Sequence, residues 1–292
     1  MINALTFDIE DWFHILDIPT SPPLEEWNEM DSLVETHTNH VLALLSEYGV
    51  KATFFILGWV ADSHPGLVEA VVSGGHEVAS HGYAHKLIYH QSKQEFADDV
   101  GLSREVLTRL SGTPVIGYRS PGFSVTPETS WALHTLLEQG FRYDSSIFPA
   151  ARSHGGYPGA TSYPHRIVSK EDRYLWEFPI STVKIFRWRL CLFGGGYFRL
   201  FPWRLIYSGV KRINRAGYPV VVYLHGRELD PRHPRLPMPW NRRFMSYVGL
   251  GSTERKLRRL LEAFPFAPVR DVLDLMGDPD AGARTTPPSP RR

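Results

Sequence analysis

The stretch ALTFDIEDWFH, Ala4 to His14, runs from an apolar lead straight into three carboxylates, Asp8, Glu10 and Asp11. An apolar strand that ends in acids points to a parallel α/β architecture, in which chemistry gathers at the carboxyl ends of the strands. Working outward, KATFFIL (Lys51 to Leu57) reads as a second buried strand, and SLVETHTNHVLALLSEYG between the two has the apolar spacing of a helix ending at Gly49. That is one β-α-β unit. The alternation continues with PGLVEAVVSGG as a helix, HEVASH as a short strand, KQEFADDVGLSREVLTRLSG as a helix and VIGYRS as a strand. PETSWALHTLLEQG is then a helix leading to FRYDSS, and PVVVYLH (Pro219 to His225) is a β-branched strand. A parallel sheet or a β/α barrel is the expected fold.

Between Ser146 and Gly217 the pattern is less regular, and Gly, Pro and aromatic residues there predict long loops with short strands forming a substrate-facing wall. The basic run STERKLRRLLEA has apolar residues at helical spacing and reads as a helix with a solvated face. From Gly277 onward there is almost nothing to bury, so a disordered tail is expected over 277–292.

Composition narrows the function classes. A chain of 292 residues, 42% hydrophobic and 22% charged, can bury a full core, and 32 basic against 31 acidic residues give a net charge of +1. That balance gives no argument for nucleic acid or a membrane surface as partner. The single cysteine, Cys191 in the apolar setting RLCLF, excludes an intrachain disulfide and a multi-cysteine metal site and reads as a packed thiol. No secretory leader pattern and no run near the roughly 18 apolar residues of a membrane span is visible, so a cytoplasmic location without a transmembrane segment is the expectation.

The polar residues that follow each predicted strand are Asp8, Glu10 and Asp11, then His81 and His85, Arg119, Asp144 and His225. In SHGYAH, a spacing of four puts His81 and His85 on one side of a helical turn, where two neutral imidazoles can converge on one divalent ion. With 13 histidines in the chain such a pair needs a third ligand, and the carboxylates after the first strand can supply it. Two histidines and one carboxylate leave zinc with open positions, which is a catalytic rather than a closed structural arrangement. Asp8 and Glu10 lie on one face of an extended chain, so Asp8 is assigned as base and Glu10 as the favoured ligand, with Asp11 the alternative ligand or else a cap.

These residues, taken in order, resemble the polysaccharide deacetylases with the NodB-homology domain. TFDIED looks like that family's first motif, with a base aspartate and a metal-binding acid, and SHGYAH looks like its metal-binding histidine motif. YRSPGFS (Tyr118 to Ser124) resembles the motif in which Arg119 would orient the base and backbone amides near Gly122 would face the oxyanion. YDSSIFP resembles the fourth, with Asp144 pairing Arg119, and YLH the last, in which Leu224 lines the acetyl pocket and His225 protonates the leaving amine. Trp12 and Phe123, adjoining these groups, are further candidates for lining the substrate site. More closely, ATFFILGW, GHEVASHGYAH and STERKLRRLLEAFPFAPVRDVL resemble deacetylases encoded with exosortase and exopolysaccharide clusters. Two departures stand out: HGRELDP puts Arg227 where that subfamily has an aromatic, and Glu10 stands where many relatives have Asp.

The resemblance implies a distorted (β/α) barrel of about seven parallel strands, forming one catalytic domain over 1–276 with a C-terminal extension from about 226. It implies a metal-dependent N-deacetylase, with zinc as the divalent cofactor and an N-acetylhexosamine polysaccharide or its lipid-linked precursor as substrate. Peripheral association with a membrane exopolysaccharide assembly system would follow, with the oligomeric state left open. Hydrolysis of another small amide, or a catalytically silent carbohydrate-binding module, are the competing expectations.

Overall fold

Strand β1 (Asn3–Ile9) is buried along its whole length because it has parallel neighbours on both sides. The computed structural model describes residues 1–277 except 153–154 and 186–187, so the expected tail lies, apart from Gly277, outside the described residues. After β1 come α1 (Val34–Glu47), β2 (Thr53–Ile56), α2 (Gly58–Ser63), α3 (Pro65–Ser73), β3 (Glu77–Ser80), α4 (Lys93–Ser111), β4 (Gly117–Tyr118), α5 (Trp131–Glu138) and β5 (Tyr143–Asp144). The second half holds β6 (His165–Lys170), β7 (Arg173–Glu177), β8 (Val183–Ile185), β9 (Trp188–Leu190), α6 (Gly195–Leu200), α7 (Trp203–Arg215) and β10 (Val221–His225). It closes with α8 (Trp240–Tyr247), α9 (Thr253–Ala263), β11 (Phe266–Ala267) and α10 (Val269–Leu275).

The main sheet runs β10-β1-β2-β3-β4-β5-β7-β6, with β11 beside the start of β1. Every pair from β10 to β7 is parallel, which gives seven parallel strands curled into a half-barrel, and β6 returns antiparallel on β7. Single contacts bridge the gap between β7 and β10: Val221 N donates to Ser181 Oγ at 2.9 Å, and Tyr223 N to the Phe193 carbonyl at 3.1 Å.

The period of two sorts side chains between two layers. Leu5, Phe7 and Ile9 pack with Phe54, Ile56, Val222 and Leu224 in the layer under the helices. Ala4, Phe55, Ala79, Tyr143, Val221 and Tyr223 fill the barrel interior, which Val269, Val272 and Leu273 of α10 close at one end. Helix α4 shows how local sequence sets an element's bounds. Ser92 and Glu95 form a reciprocal capping box at its start, and Gly112, at φ +67°, ends it in the left-handed conformation that glycine adopts freely.

The irregular expectation for Ser146–Gly217 holds for the loops but not for α7. Ile206, Val210 and Ile213 are buried at helical spacing there, a pattern obscured in the sequence by Gly209 and the basic residues around it. Cys191 is buried, and burial pushes its thiol up to about 11, as a packed cysteine requires. Among the described residues no helix is long and apolar enough to cross a membrane.

Candidate metal centre and active-site cavity

The carboxyl ends of β1, β3, β4 and β10 open into a cavity of about 590 Å³. Glu10, just past β1, and His81 and His85, just past β3, bring ligand atoms within 4.8 Å of one another. The histidine segment is not the helical turn that the spacing suggested. It is a loop bent by Gly82 at φ +77° and His85 at φ +52°, and Asp99 on α4 holds it by accepting from the Tyr83 and Ala84 amides at 2.8 and 3.0 Å. His81 Nδ1 donates to the Arg119 carbonyl at 2.8 Å, which leaves Nε2 as the free electron pair. Burial keeps that imidazole neutral by pushing it down to about 4.

A divalent ion fits this donor set. Glu10 Oε2 is buried, lies 2.9 Å from His85 Nε2 and accepts no well-aligned hydrogen bond, so its electron pair is open to an ion. Burial would raise Glu10, but the charges of Arg227, His85 and His225 outweigh it and hold the carboxylate well below its usual range. Two imidazoles and one carboxylate with space beside them make an N,N,O donor set that leaves positions on a divalent ion open. Asp11, the alternative ligand, is used elsewhere. Its carboxylate accepts from the Trp12 and Leu33 amides and from Ser32 Oγ, fastening the start of α1.

Asp8 sits beside this cluster and is paired with Arg119, whose Nη1 donates to Asp8 Oδ1 at 2.6 Å. Arg119 is fully buried, lies 4.1 Å from the Phe55 ring and also donates to Thr6 Oγ1, Ser145 Oγ and the Ser145 carbonyl. The expected Arg119–Asp144 pairing is therefore corrected. Tyr143 belongs to the barrel interior, so the next residue, Asp144, projects to the opposite layer. There it faces its register partner Glu177 and accepts from Ser146 Oγ at 2.5 Å. Burial raises both carboxyls, and the Asp144 charge adds to the effect of burial in lifting Glu177 well above its ordinary value.

His225 is the register partner of Asp8. Its Nε2 lies 2.8 Å from Glu10 Oε1 and 4.0 Å from Asp8 Oδ2, and its Nδ1 lies 2.9 Å from Glu228 Oε1. Burial alone would lower His225, but Glu10 and Glu228 outweigh it and lift it to about 9. Glu228 is itself buried against Arg199 at 2.7 Å, and Arg199 and His225 bring it down to about 2 against the effect of burial. Arg199 is fixed in turn by the Met245, Ser246 and Val248 carbonyls. Arg227 donates to Glu10 Oε1 at 2.9 Å and the Asp11 carbonyl at 3.2 Å.

Of the expected lining residues, Gly122 and Phe123 face the cavity. Leu224 and Trp12 do not. Tyr223 and His225 share the cavity face of β10, so Leu224 packs in the helix-side layer with Phe7. Trp12 joins the same core and donates its indole N–H to the Asp31 carbonyl. Arg199, Glu228, Asp99 and His14 were missed by the sequence reading. His14 lines the cavity, accepts the Asp11 amide on Nδ1 at 3.0 Å and is kept neutral by burial. A signal for Glu228 did exist, an acid three residues after the strand-end histidine in HGRE.

Residues 4–140 match the family model described as polysaccharide deacetylase, and 145–274 match one described as a domain of unknown function, DUF3473. A peptidoglycan-N-acetylglucosamine deacetylase of Bacillus cereus is 31% identical over 96 residues, 32% of this chain and 35% of that protein. The chain thus spans about a third of the length of such curated relatives. Among solved structures, a Mycobacterium smegmatis protein assigned to the polysaccharide deacetylases superposes with a TM-score of 0.63 at 19% identity, covering 99% of this chain and 93% of that one. Puue allantoinase does so with a TM-score of 0.62 at 17% identity, over 97% and 91%. At these identities the two structures speak to the fold alone.

Proposed function

We propose, from the match of residues 4–140 to the polysaccharide deacetylase family model, that this chain is a metal-dependent N-deacetylase acting on an N-acetylated glycan. The observation that carries the reading is the convergence of Glu10, His81 and His85, with the arginine-held Asp8 and His225 beside them. Zinc is the ion this N,N,O set suits, with Glu10, His81 and His85 as its ligands. When bound there, it supplies Lewis acidity toward an acetyl carbonyl and acidifies water.

The chain's own groups supply the rest. Asp8 accepts the proton of the attacking water, and Arg119 Nη1 orients its carboxylate. His225 holds a proton on Nε2 for the departing amine nitrogen, and Glu228 fixes the ring through Nδ1. Gly122 and Phe123, with left-handed backbones at φ +62° and +54°, form the wall that would meet the acetyl oxygen. Asp144 acts at a distance, through Ser146, whose Oγ accepts the Ser120 amide at the foot of that wall.

Metal analysis of the purified protein, coupled to acetate release from an N-acetylated chito-oligosaccharide, tests the proposal. About one equivalent of divalent metal is expected, with activity lost on chelation, restored by zinc and absent in Asp8→Asn. Glycan binding with neither metal nor acetate release would instead mark a silent binding module.

A further inference from the structure

The cavity carries more positive charge than a neutral acetamide sugar would need. Its walls hold three carboxylates, Asp8, Glu10 and Glu228, and each already has an arginine partner, respectively Arg119, Arg227 and Arg199. A further guanidinium group, that of Arg152, lines the same cavity, while the chain as a whole is nearly neutral at +1. A bound divalent ion would add to this excess.

Arg152 is the telling residue. Its guanidinium lies over the Phe148 ring at 4.7 Å and the Phe123 ring at 5.3 Å, and Phe123 is also 5.9 Å from the guanidinium of Arg119. Its Nη1 has no hydrogen-bond partner among the described residues. A guanidinium lying against two aromatic rings is restrained by them, so part of the cost of ordering its planar fork around an oxyanion is already met. Leaving such a donor unpaired is costly unless a ligand completes it.

We propose that Arg152 forms an oxyanion subsite, and that the substrate is an N-acetylated sugar bearing a carboxylate or phosphate close to the acetamide that is cut. The inference rests on the deacetylase reading for its orientation, since it places the anion next to the wall formed by Phe123.

Two arms of one experiment separate the sources of the anion. The carboxylate arm compares a tetrasaccharide alternating N-acetylglucosamine and glucuronate with neutral chitotetraose. The phosphate arm compares N-acetylglucosamine 1-phosphate with the neutral methyl glycoside. In at least one arm kcat/KM for the anionic sugar should exceed that for its neutral counterpart at least ten-fold, and Arg152→Gln should bring this ratio close to one. Arg152→Lys, which keeps the charge and loses the fork, should leave an intermediate ratio. Calorimetric titration of the same sugars reads the preference without turnover, so absence of acetate from every sugar would count against the deacetylase reading alone. A ratio of one in both arms, or a ratio that survives Arg152→Gln, would overturn the subsite and leave Arg152 a packing residue.

Discussion

Replacing Arg119 by Met tests whether the cavity depends on one buried ion pair. The substitution keeps an unbranched chain against Phe55 but removes the guanidinium 2.6 Å from Asp8, whose side chain is 3% exposed. Removing one member of a buried pair leaves a charge without compensation and costs about 3–5 kcal/mol. The other lost bonds matter less, because Thr6 Oγ1 still donates to the Val222 carbonyl and Ser145 Oγ to the Phe178 carbonyl. A total near 4 kcal/mol corresponds to a fall in melting temperature of roughly 10 °C for a chain of this size. Urea unfolding of wild type, Arg119→Met, Asp8→Asn and the double variant, all with chelator present, closes the cycle. The double variant should recover about 3 kcal/mol relative to additivity. A coupling below about 1 kcal/mol would refute the reasoning, since Asp8 would then be held by something other than Arg119.

Arg227→Gln removes a positive charge 2.9 Å from Glu10, so zinc affinity measured by chelator competition should rise at least ten-fold; unchanged or weaker binding would mean that Arg227 serves mainly to orient Glu10. Glu228→Gln removes an anion that supports the imidazolium of His225 at about 9, so acetate release should fall and the alkaline limb of its pH profile should move to lower pH; a limb that stays put would exclude His225 as the group reporting there. His81 titrates at about 4 when folded against 6.5 for the free side chain, so the unfolded state binds more protons between those values. Its contribution to stability is therefore complete above pH 6.5 and is lost as the pH falls toward 4, by about 3 kcal/mol in all. Melts of the chelator-treated chain at pH 7 and 4.5 should show a smaller loss in His81→Asn than in wild type, and equal losses would contradict this.

The strands β1, β2, β3 and β10 were legible because burial on both faces writes itself as apolar runs, and the polar residues after them fall where a parallel sheet needs them. Leu224 and Asp144 were misplaced for one shared reason. A motif fixes which residues are present, whereas the period of two decides which face each one takes, and one position along a strand reverses the answer. Arg199 and Glu228 were hidden for a different reason. Arg199 lies on a six-residue helix in the irregular half, and its meeting with Glu228 is a tertiary event that no local periodicity records.

The placement of β1 also bears on how the chain is made. Once β1 has left the ribosome, β10, one of its neighbours, follows more than two hundred residues later in synthesis, and β11 later still. At about 5–20 residues per second, that edge waits on the order of tens of seconds. During that interval β1 can dock on β2, yet its other row of amides and carbonyls stays open to any passing strand, including that of a neighbouring nascent chain on the same message. Production of this protein should consequently depend on holdase chaperones and on translation speed more than its finished stability would suggest.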